Sequence, residues 1–152
     1  MNIVIAPQAF KGSLSASQAA DAIASGVHKV FPDAKLIRVP VADGGDGTLD
    51  ALINATGGTF HEATVSGPLG EPVLASWGVL GDGTTAVVEA AQACGLALLA
   101  EQDRNPLKTS SYGVGELIRH ALHAGYRKLI IGLGGSSTND GAAGLVDALS
   151  GT

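Results

Sequence analysis

The chain has 152 residues, of which 45% are hydrophobic, 15% are charged and 22 are glycine, and its formal net charge is −5. This composition fits one compact globular domain and excludes a disordered chain. The acidic balance and the lack of any Lys or Arg run exclude nucleic acid as a principal partner, because binding a phosphate backbone needs a basic face.

Cysteine usage and the N-terminal residues bear on the cellular compartment. The single cysteine, Cys94, cannot form an internal disulfide and suits a reducing environment, where we expect it to be a small core residue. The first ten residues, MNIVIAPQAF, lack the basic and long apolar regions of a signal peptide, and no apolar run reaches the length of a membrane span. We therefore expect a cytoplasmic protein without a membrane partner.

The first third of the chain repeats a strand, a loop and a helix. Residues 2–6 form a short apolar run, and a helical pattern begins at Ser15. The inner face of this helix is expected to hold Ala19, Ile23, Val27 and Val30. Residues 35–41 predict a second strand, and a second helix is expected over residues 49–55, ending at Gly57.

Residues 61–90 have a different sequence pattern, since short apolar runs alternate there with glycine-rich turns in the manner of antiparallel hairpins. This change predicts a different structural layer, with a lobe boundary near residues 61–66. The pattern Gly81-x-Gly83-x-x-Ala86 matches a dinucleotide fingerprint only formally, because it leads into a β-rich run and not into a helix. We interpret it as a hairpin turn.

The last third predicts a helix over residues 112–124, ended by Gly125, and a strand over residues 128–133. The inner face of this helix is expected to hold Leu117, Ile118, Ala121 and Leu122. The whole chain is therefore predicted to be α/β, with a parallel, Rossmann-like sheet, flanking helices and an antiparallel hairpin region.

Residues 128–144, KLIIGLGGSSTNDGAAG, carry the most informative pattern. Glycines let backbone N–H groups approach a ligand closely, and the helix that follows is expected to offer unpaired N–H groups and the positive end of its dipole. We therefore expect a phosphate site, with Asp140 as a ligand of a phosphate-bound Mg²⁺. The phosphate would be held by Gly134, Gly135, Ser136, Ser137, Thr138 and Gly141. The alternative is an ordinary strand-to-helix connection.

Three polar glycine loops fall at the carboxyl ends of predicted strands, where parallel sheets bind ligands: residues 7–15, 43–48 and 134–141. We expect them to converge. In the first loop, Lys11 and Ser13 are suited to a phosphoryl group or a substrate carboxylate, although Lys11 could also be a solvated loop charge.

In the second loop, Asp43 and Asp46 bracket Gly44 and Gly45, an arrangement that suits Mg²⁺ binding or activation of a hydroxyl. The alternative is an Asx turn with a helix N-cap from Asp46 or Thr48.

Several familiar sites are excluded by the sequence. It contains neither the P-loop pattern G-x-x-x-x-G-K-S/T nor the G-x-S-x-G elbow of α/β hydrolases. His120 and His123 are three residues apart on a helix and lack the glutamate of a zincin motif, so we expect no metal there.

Six separated motifs resemble, in the same order, those of the glycerate kinase family of the bacterial D-glycerate pathway. They are IVIAPQAFKGSLSA, VADGGDGT, GP-x-GEPV, DG-TTAVVEAA, NPLKTSSYGVGELIRHAL and IIGLGGSSTNDGAAG. The resemblance covers essentially the whole chain. It implies ATP- and Mg²⁺-dependent phosphorylation of D-glycerate, to 2-phosphoglycerate or 3-phosphoglycerate, on a two-lobed α/β scaffold with a cleft between the lobes.

The resemblance also implies site residues. Lys11, Asp43 and Asp46 are the catalytic candidates, and Asp43 and Asp140 are the metal candidates. The substrate- and phosphate-binding candidates are Ser13, Gly44, Gly45, the turn with Gly134, Gly135, Ser136, Ser137, Thr138, Asn139 and Gly141, and also Asn105, Thr109 and Ser111. The base that takes the hydroxyl proton would be Asp43 or Asp46, and the residues do not choose between them.

Two departures from the family pattern support a second hypothesis. Gln8-Ala9 stand where family members usually have Asp-Ser, and family chains are much longer, so this chain is expected to be an N-terminal portion. The alternative to a kinase is therefore a non-catalytic domain that binds a phosphorylated metabolite or a partner chain. Exposed strand edges make a homo-oligomer a further expectation.

Overall fold

The computed structural model describes residues 1–10 and 12–151. The strands are β1 (Asn2–Ile5), β2 (Lys35–Arg38), β3 (Thr59–Ser66), β4 (Pro72–Val79), β5 (Thr85–Glu89) and β6 (Lys128–Gly132). The α-helices are α1 (Ala16–Val30), α2 (Thr48–Thr56), α3 (Ala91–Cys94), α4 (Tyr112–His123) and α5 (Ala143–Ser150). Two single-turn 3₁₀ helices, Leu96–Leu98 and Glu101–Asp103, follow α3.

A small parallel sheet pairs β1 with β2, and α1 packs on one of its faces. The helix begins with a capping box, in which the Ser15 hydroxyl accepts from Gln18 N and the Gln18 side chain accepts from Ser15 N. The predicted inner face is wrong in part, since Ala19 is buried whereas Ile23 and Val30 are exposed. The buried residues of α1 are Ala16, Ala19, Ala20 and Ala24. Small side chains let the helix approach the sheet closely.

The second sheet is mixed and has the order β3-β4-β5-β6. The first three strands form the expected antiparallel hairpins, and β5 pairs in parallel with β6. The predicted α/β class is confirmed, and the hairpin strands belong to a different sheet from β1 and β2, in which β5 also pairs with β6. Residues 81–83 form the expected turn between β4 and β5. The lobe boundary near residues 61–66 falls within β3 and stays a prediction.

The main core lies between the mixed sheet and the helices α3 and α4. Leu117, Ile118 and Ala121 are buried on the inner face of α4, as its periodicity predicts, and Cys94 is buried beside them. Helix α2 ends at Gly57, whose φ of 66° explains the glycine. Among the described residues, no helix has the length and apolarity needed to cross a membrane.

Candidate functional site

The structure brings parts of the three predicted loops together around one cavity of about 460 Å³, which we call the first cavity. The first loop contributes residues 8–10 and 12–15, including Ser13, and the second contributes Asp43, Gly45, Asp46 and Gly47. The third loop contributes only Gly134 and Gly135. Lys11 lies outside the described residues, so its predicted role stays a prediction.

The second loop combines a local turn with exposed carboxylates. Asp43 Oδ1 accepts a 3.0 Å hydrogen bond from Gly45 N, which is the Asx turn of the alternative interpretation, and Thr48 Oγ1 accepts one of 3.0 Å from Gly44 N. Both Asp43 and Asp46 are exposed at the first cavity. The suggested N-cap from Asp46 or Thr48 is wrong, because the capping position is Gly47, with a φ of 87° and no side-chain cap.

A glutamate outside the predicted site residues caps this helix instead. Glu89, at the end of β5, is only 1% exposed and accepts hydrogen bonds from Leu49 N at 2.8 Å and Gly47 N at 3.2 Å. Burial raises the pKa of Glu89, the two N–H donors and Gln92 lower it in part, and the charge of Asp46 raises it further. Glu89 therefore ties the loop with Asp43 and Asp46 to β5, a central strand of the mixed sheet.

The glycines of the second and third loops serve mainly to let these loops pack against each other. Gly134 N donates to Gly44 O at 2.7 Å, and a Cβ placed on Gly134 would lie 2.6 Å from Gly45 Cα. A Cβ on Gly135, whose φ is 73°, would lie 2.7 Å from Asp46 Oδ1. The expectation that Gly134 presents its N–H to a ligand is therefore wrong, since a neighbouring backbone already accepts that hydrogen bond.

The rest of the third loop faces a second cavity, of about 330 Å³. The predicted residues that line it are Ser111, Ser136, Thr138, Asn139, Asp140 and Gly141. The Ser136 and Thr138 hydroxyls lie 2.8 Å apart, and Ser136 Oγ lies 3.4 Å from Cys94 Sγ. Burial raises the pKa of the Cys94 thiol. The predicted site residues that line a cavity are thus divided between two cavities.

The start of α5 is not the open anion site that the sequence predicts. Asp140 Oδ2 accepts from Ser111 N and Ser111 Oγ, both at 2.8 Å, and from Gly144 N at 3.3 Å, and Asp140 Oδ1 accepts from Ala142 N at 3.2 Å. Ser111 Oγ accepts from Leu145 N at 3.0 Å, and Asp140 O accepts from Ala143 N. The protein itself therefore occupies the donors of this helix terminus.

These contacts also set the ionisation of Asp140. Burial alone would raise its pKa, but the hydrogen bonds from Ser111, Gly144 and Ala142 outweigh burial and lower the pKa. Asp140 therefore orders the starts of α4 and α5 as a carboxylate. Its predicted role as a metal ligand stays a prediction, and the described residues include no group of three or more His, Cys, Asp or Glu side chains that could hold a metal.

Three further candidates make contacts within the protein. Asn105 Oδ1 accepts from Leu107 N at 3.0 Å, a local turn, and Asn105 is absent from the lining of both cavities. Thr109 is buried and its hydroxyl donates to Ser137 O at 2.8 Å, while the Ser137 hydroxyl donates to Cys94 O at 2.9 Å. Thr109 and Ser137 therefore tie the third loop to the segments beside it.

Comparisons with known proteins match nearly the whole chain to one family. The model of the glycerate kinase family matches residues 3–152. The chain is 57% identical over 149 residues to the glycerate 2-kinase of Escherichia coli (strain K12), covering 98% of this chain and 39% of that protein. It is 56% identical over 151 residues to the glycerate kinase of Bacillus subtilis (strain 168), covering 99% and 40%.

One solved structure also matches nearly the whole chain. The crystal structure of a glycerate kinase 2 from Salmonella typhimurium LT2 matches with a TM-score of 0.79 and 52% identity, covering 98% of this chain and 40% of that one. The chain therefore spans about two fifths of the length of the relatives that it matches.

Proposed function

Because this chain belongs to the glycerate kinase family, we propose that it carries part of a site at which ATP phosphorylates D-glycerate, giving 2-phosphoglycerate or 3-phosphoglycerate. The observation that carries this proposal is the meeting of three loops at the first cavity, with the carboxylates of Asp43 and Asp46 exposed there. Phosphoryl transfer mainly requires positioned charges and donors, without a covalent nucleophile on the protein.

The first cavity fits Mg²⁺ better than the second. Mg²⁺ in kinases is usually held by one or two carboxylates together with substrate phosphates and water. Asp43 uses Oδ1 for the bond from Gly45 N, which leaves Oδ2 for a cation, and Asp46 lies on the same loop. Bound Mg²⁺ would neutralise charge on the phosphates. Asp140 is a weaker candidate, because its oxygens already accept four hydrogen bonds.

The remaining roles follow from the positions of the side chains at the first cavity. Either Asp43 or Asp46 would accept the proton of the glycerate hydroxyl, and the Ser13 hydroxyl would bind the substrate. Lys11 is proposed to bind an anionic group, a role that rests on the family motif and on its charge. Glu89 touches neither substrate in this proposal, since it holds the second loop in place, and the Gly134 N–H is already bonded to Gly44 O.

Two observations favour the alternative of a non-catalytic domain that binds a phosphorylated metabolite or a partner chain. Gln8 and Ala9 line the first cavity where family members usually have Asp and Ser, so a carboxylate and a hydroxyl are missing from its wall. The chain also spans only two fifths of its relatives, so groups from the remainder could be needed for turnover.

Coupled measurement of ADP release with D-glycerate separates the two functions. The chain is assayed alone and after extension to the length of its relatives with the remainder of the Escherichia coli protein. D-glycerate-dependent ADP release by the extended chain supports the kinase function. Tight binding of phosphoglycerate by both forms, with no ADP release from either, supports the non-catalytic alternative.

A further inference from the structure

The second cavity has largely apolar walls. Its apolar lining consists of Ala90, Cys94, Val114, Leu133, Ala142 and Leu145. Leu133, which directly follows β6, is 68% exposed, so a large apolar side chain is open to solvent at this cavity. Sites for small molecules usually have volumes of about 300–1,000 Å³ and apolar walls with a few polar groups. The second cavity, with about 330 Å³, therefore has the size and the lining of a small ligand site.

The charge of the second cavity disfavours an anion. Asp140 is the one charged side chain among the described residues that line it, and its oxygens already accept four hydrogen bonds. A phosphate or the carboxylate of glycerate would be repelled by this carboxylate and would lose water against apolar walls without gaining a cationic partner. The second cavity therefore suits an uncharged and largely apolar group.

One polar side chain of this cavity has no partner in the described part of the chain. Asn139 is exposed, and no hydrogen bond there engages its side-chain amide or its backbone N–H and C=O groups. In contrast, the Ser136 and Thr138 hydroxyls lie 2.8 Å apart, and the Ser111 hydroxyl donates to Asp140. An amide offers donors and an acceptor together, so Asn139 suits the edge of a planar heterocycle that also carries both.

The second cavity adjoins the first along the third loop. Gly135 lines the first cavity, and Ser136, the next residue, lines the second. Ala90 and Leu133 directly follow β5 and β6, so the second cavity lies beyond the carboxyl ends of two parallel strands, where α/β sheets bind nucleotides. One ligand can therefore place an uncharged part in the second cavity and a charged part in the first.

We propose that the second cavity binds the adenine base of the nucleotide, while the phosphates extend past Gly135 into the first cavity. Leu133 and Leu145 contact the faces of the ring. The Asn139 amide oxygen accepts from the exocyclic amino group, and the amide NH₂ donates to a ring nitrogen. This assignment rests on the proposed function, because it names the subsite for one part of the nucleotide.

Photolabelling with 8-azidoadenosine triphosphate tests the assignment, with the modified peptides identified by mass spectrometry. This chain and its extended form, completed with the remainder of the Escherichia coli protein, are labelled with and without excess adenosine. We expect labelling within residues 133–145 that adenosine prevents. Labelling confined to residues 8–15 or 43–48, or no adenosine-sensitive labelling of either form, overturns the proposal.

Two variants measure the apolar contact by titration with adenosine, which lacks phosphates. Leu133→Ala removes most of a side chain from the proposed contact, and Leu74→Ala is the matched control, since Leu133 and Leu74 are 68% and 67% exposed. We expect the Kd for adenosine to rise about tenfold in Leu133→Ala and to stay at the parent value in Leu74→Ala. Equal Kd values in the two variants would contradict the contact.

The labelling also separates this assignment from the proposed function. ADP release by the extended chain, with the label confined to residues 8–15 or 43–48, would support the kinase function and overturn the base site. Adenosine-sensitive labelling within residues 133–145, in an extended chain that releases no ADP, would support the base site and count against the kinase function.

Discussion

Glu89, at the end of β5, accepts a 2.8 Å hydrogen bond from the backbone N–H of Leu49, in the first turn of α2. This bond joins a buried carboxylate of the central sheet to a helix that begins directly after the loop bearing Asp43 and Asp46. The positive end of the helix dipole favours the negative charge, whereas burial opposes it. This bond therefore couples the loop to a residue outside the cavity lining.

Replacing Glu89 by Gln tests this coupling through stability. The amide has one acceptor oxygen for two N–H groups, whereas a carboxyl group can accept at both oxygens even when it is protonated, so we expect the unfolding free energy to fall by about 1–3 kcal/mol. Because the pKa of Glu89 is raised on folding, its stabilising contribution is full below the ordinary glutamate pKa and is lost as the pH rises through the raised value. The difference in unfolding free energy between the parent and Glu89→Gln, measured by urea unfolding, should therefore become smaller as the pH rises.

Asp140→Asn should show the opposite pH dependence. The pKa of Asp140 is lowered on folding, so its contribution is present above the ordinary aspartate pKa and is lost as the pH falls through the lowered value. We expect a deficit of about 1–3 kcal/mol at neutral pH, because an amide NH₂ would face the donors from Ser111. Urea unfolding should show this deficit narrowing as the pH falls.

The two variants control for each other, since each replaces one carboxylate by its amide. Deficits that change with pH in the same direction would refute one of the two assignments. Deficits that do not change with pH would refute both.

Gly135→Ala tests the packing of the third loop against Asp46. At a φ of 73° an alanine costs about 1–2 kcal/mol, and its Cβ would also displace the Asp46 carboxylate. Gly83→Ala is the matched control, because Gly83 has a φ of 67° and no atom within 4 Å of its built Cβ. Thermal unfolding should show a larger fall in Tm for Gly135→Ala than for Gly83→Ala. Equal falls in Tm would show that the contact with Asp46 does not contribute.

Ala142→Gly should stabilise the chain. Ala142 is the one non-glycine residue with a positive φ, 65°, among the described residues. Relief of about 1–2 kcal/mol of strain exceeds the entropy cost of glycine, about 0.5–1 kcal/mol, so we expect a net gain of about 0.5 kcal/mol. Calorimetry should show a higher Tm for Ala142→Gly and no gain for Ala143→Gly, where the backbone is helical.

Local patterns predicted much of the fold. The spacing of Leu117, Ile118 and Ala121 gave the buried side of α4, because that spacing depends only on helix geometry. The inner face of α1 was partly wrong, since hydrophobicity favoured Ile23 over the alanines, whereas close packing on a sheet favours small side chains. The pairing of β5 with β6 could not be read from the chain, because strand partners are set by tertiary packing.

The sequence predicts that the three loops meet, because parallel strands end at one edge of a sheet, but it predicts individual contacts only where the residues act locally. The Asx turn of Asp43 joins neighbours in sequence, whereas Glu89 contacts Leu49 across 40 positions and Asp140 contacts Ser111 across 29. One signal for Glu89 was present: a carboxylate ends the otherwise uncharged strand TAVVE, and a charge in a buried strand needs a partner. No comparable signal distinguished an Asp140 that binds a ligand from one that binds a helix terminus.

D-glycerate-dependent ADP release by Asp43→Asn and Asp46→Asn, in a chain extended to the length of its relatives, decides whether the first cavity is the site of phosphoryl transfer. Asn at position 43 keeps an acceptor for Gly45 N, so the loop should stay folded. Asp33→Asn, in the exposed connection between α1 and β2, is the control. We expect kcat to fall about 100-fold or more in at least one of the two loop variants, with unfolding free energies near that of the parent. Turnover near that of the parent in both variants would contradict this function for the first cavity.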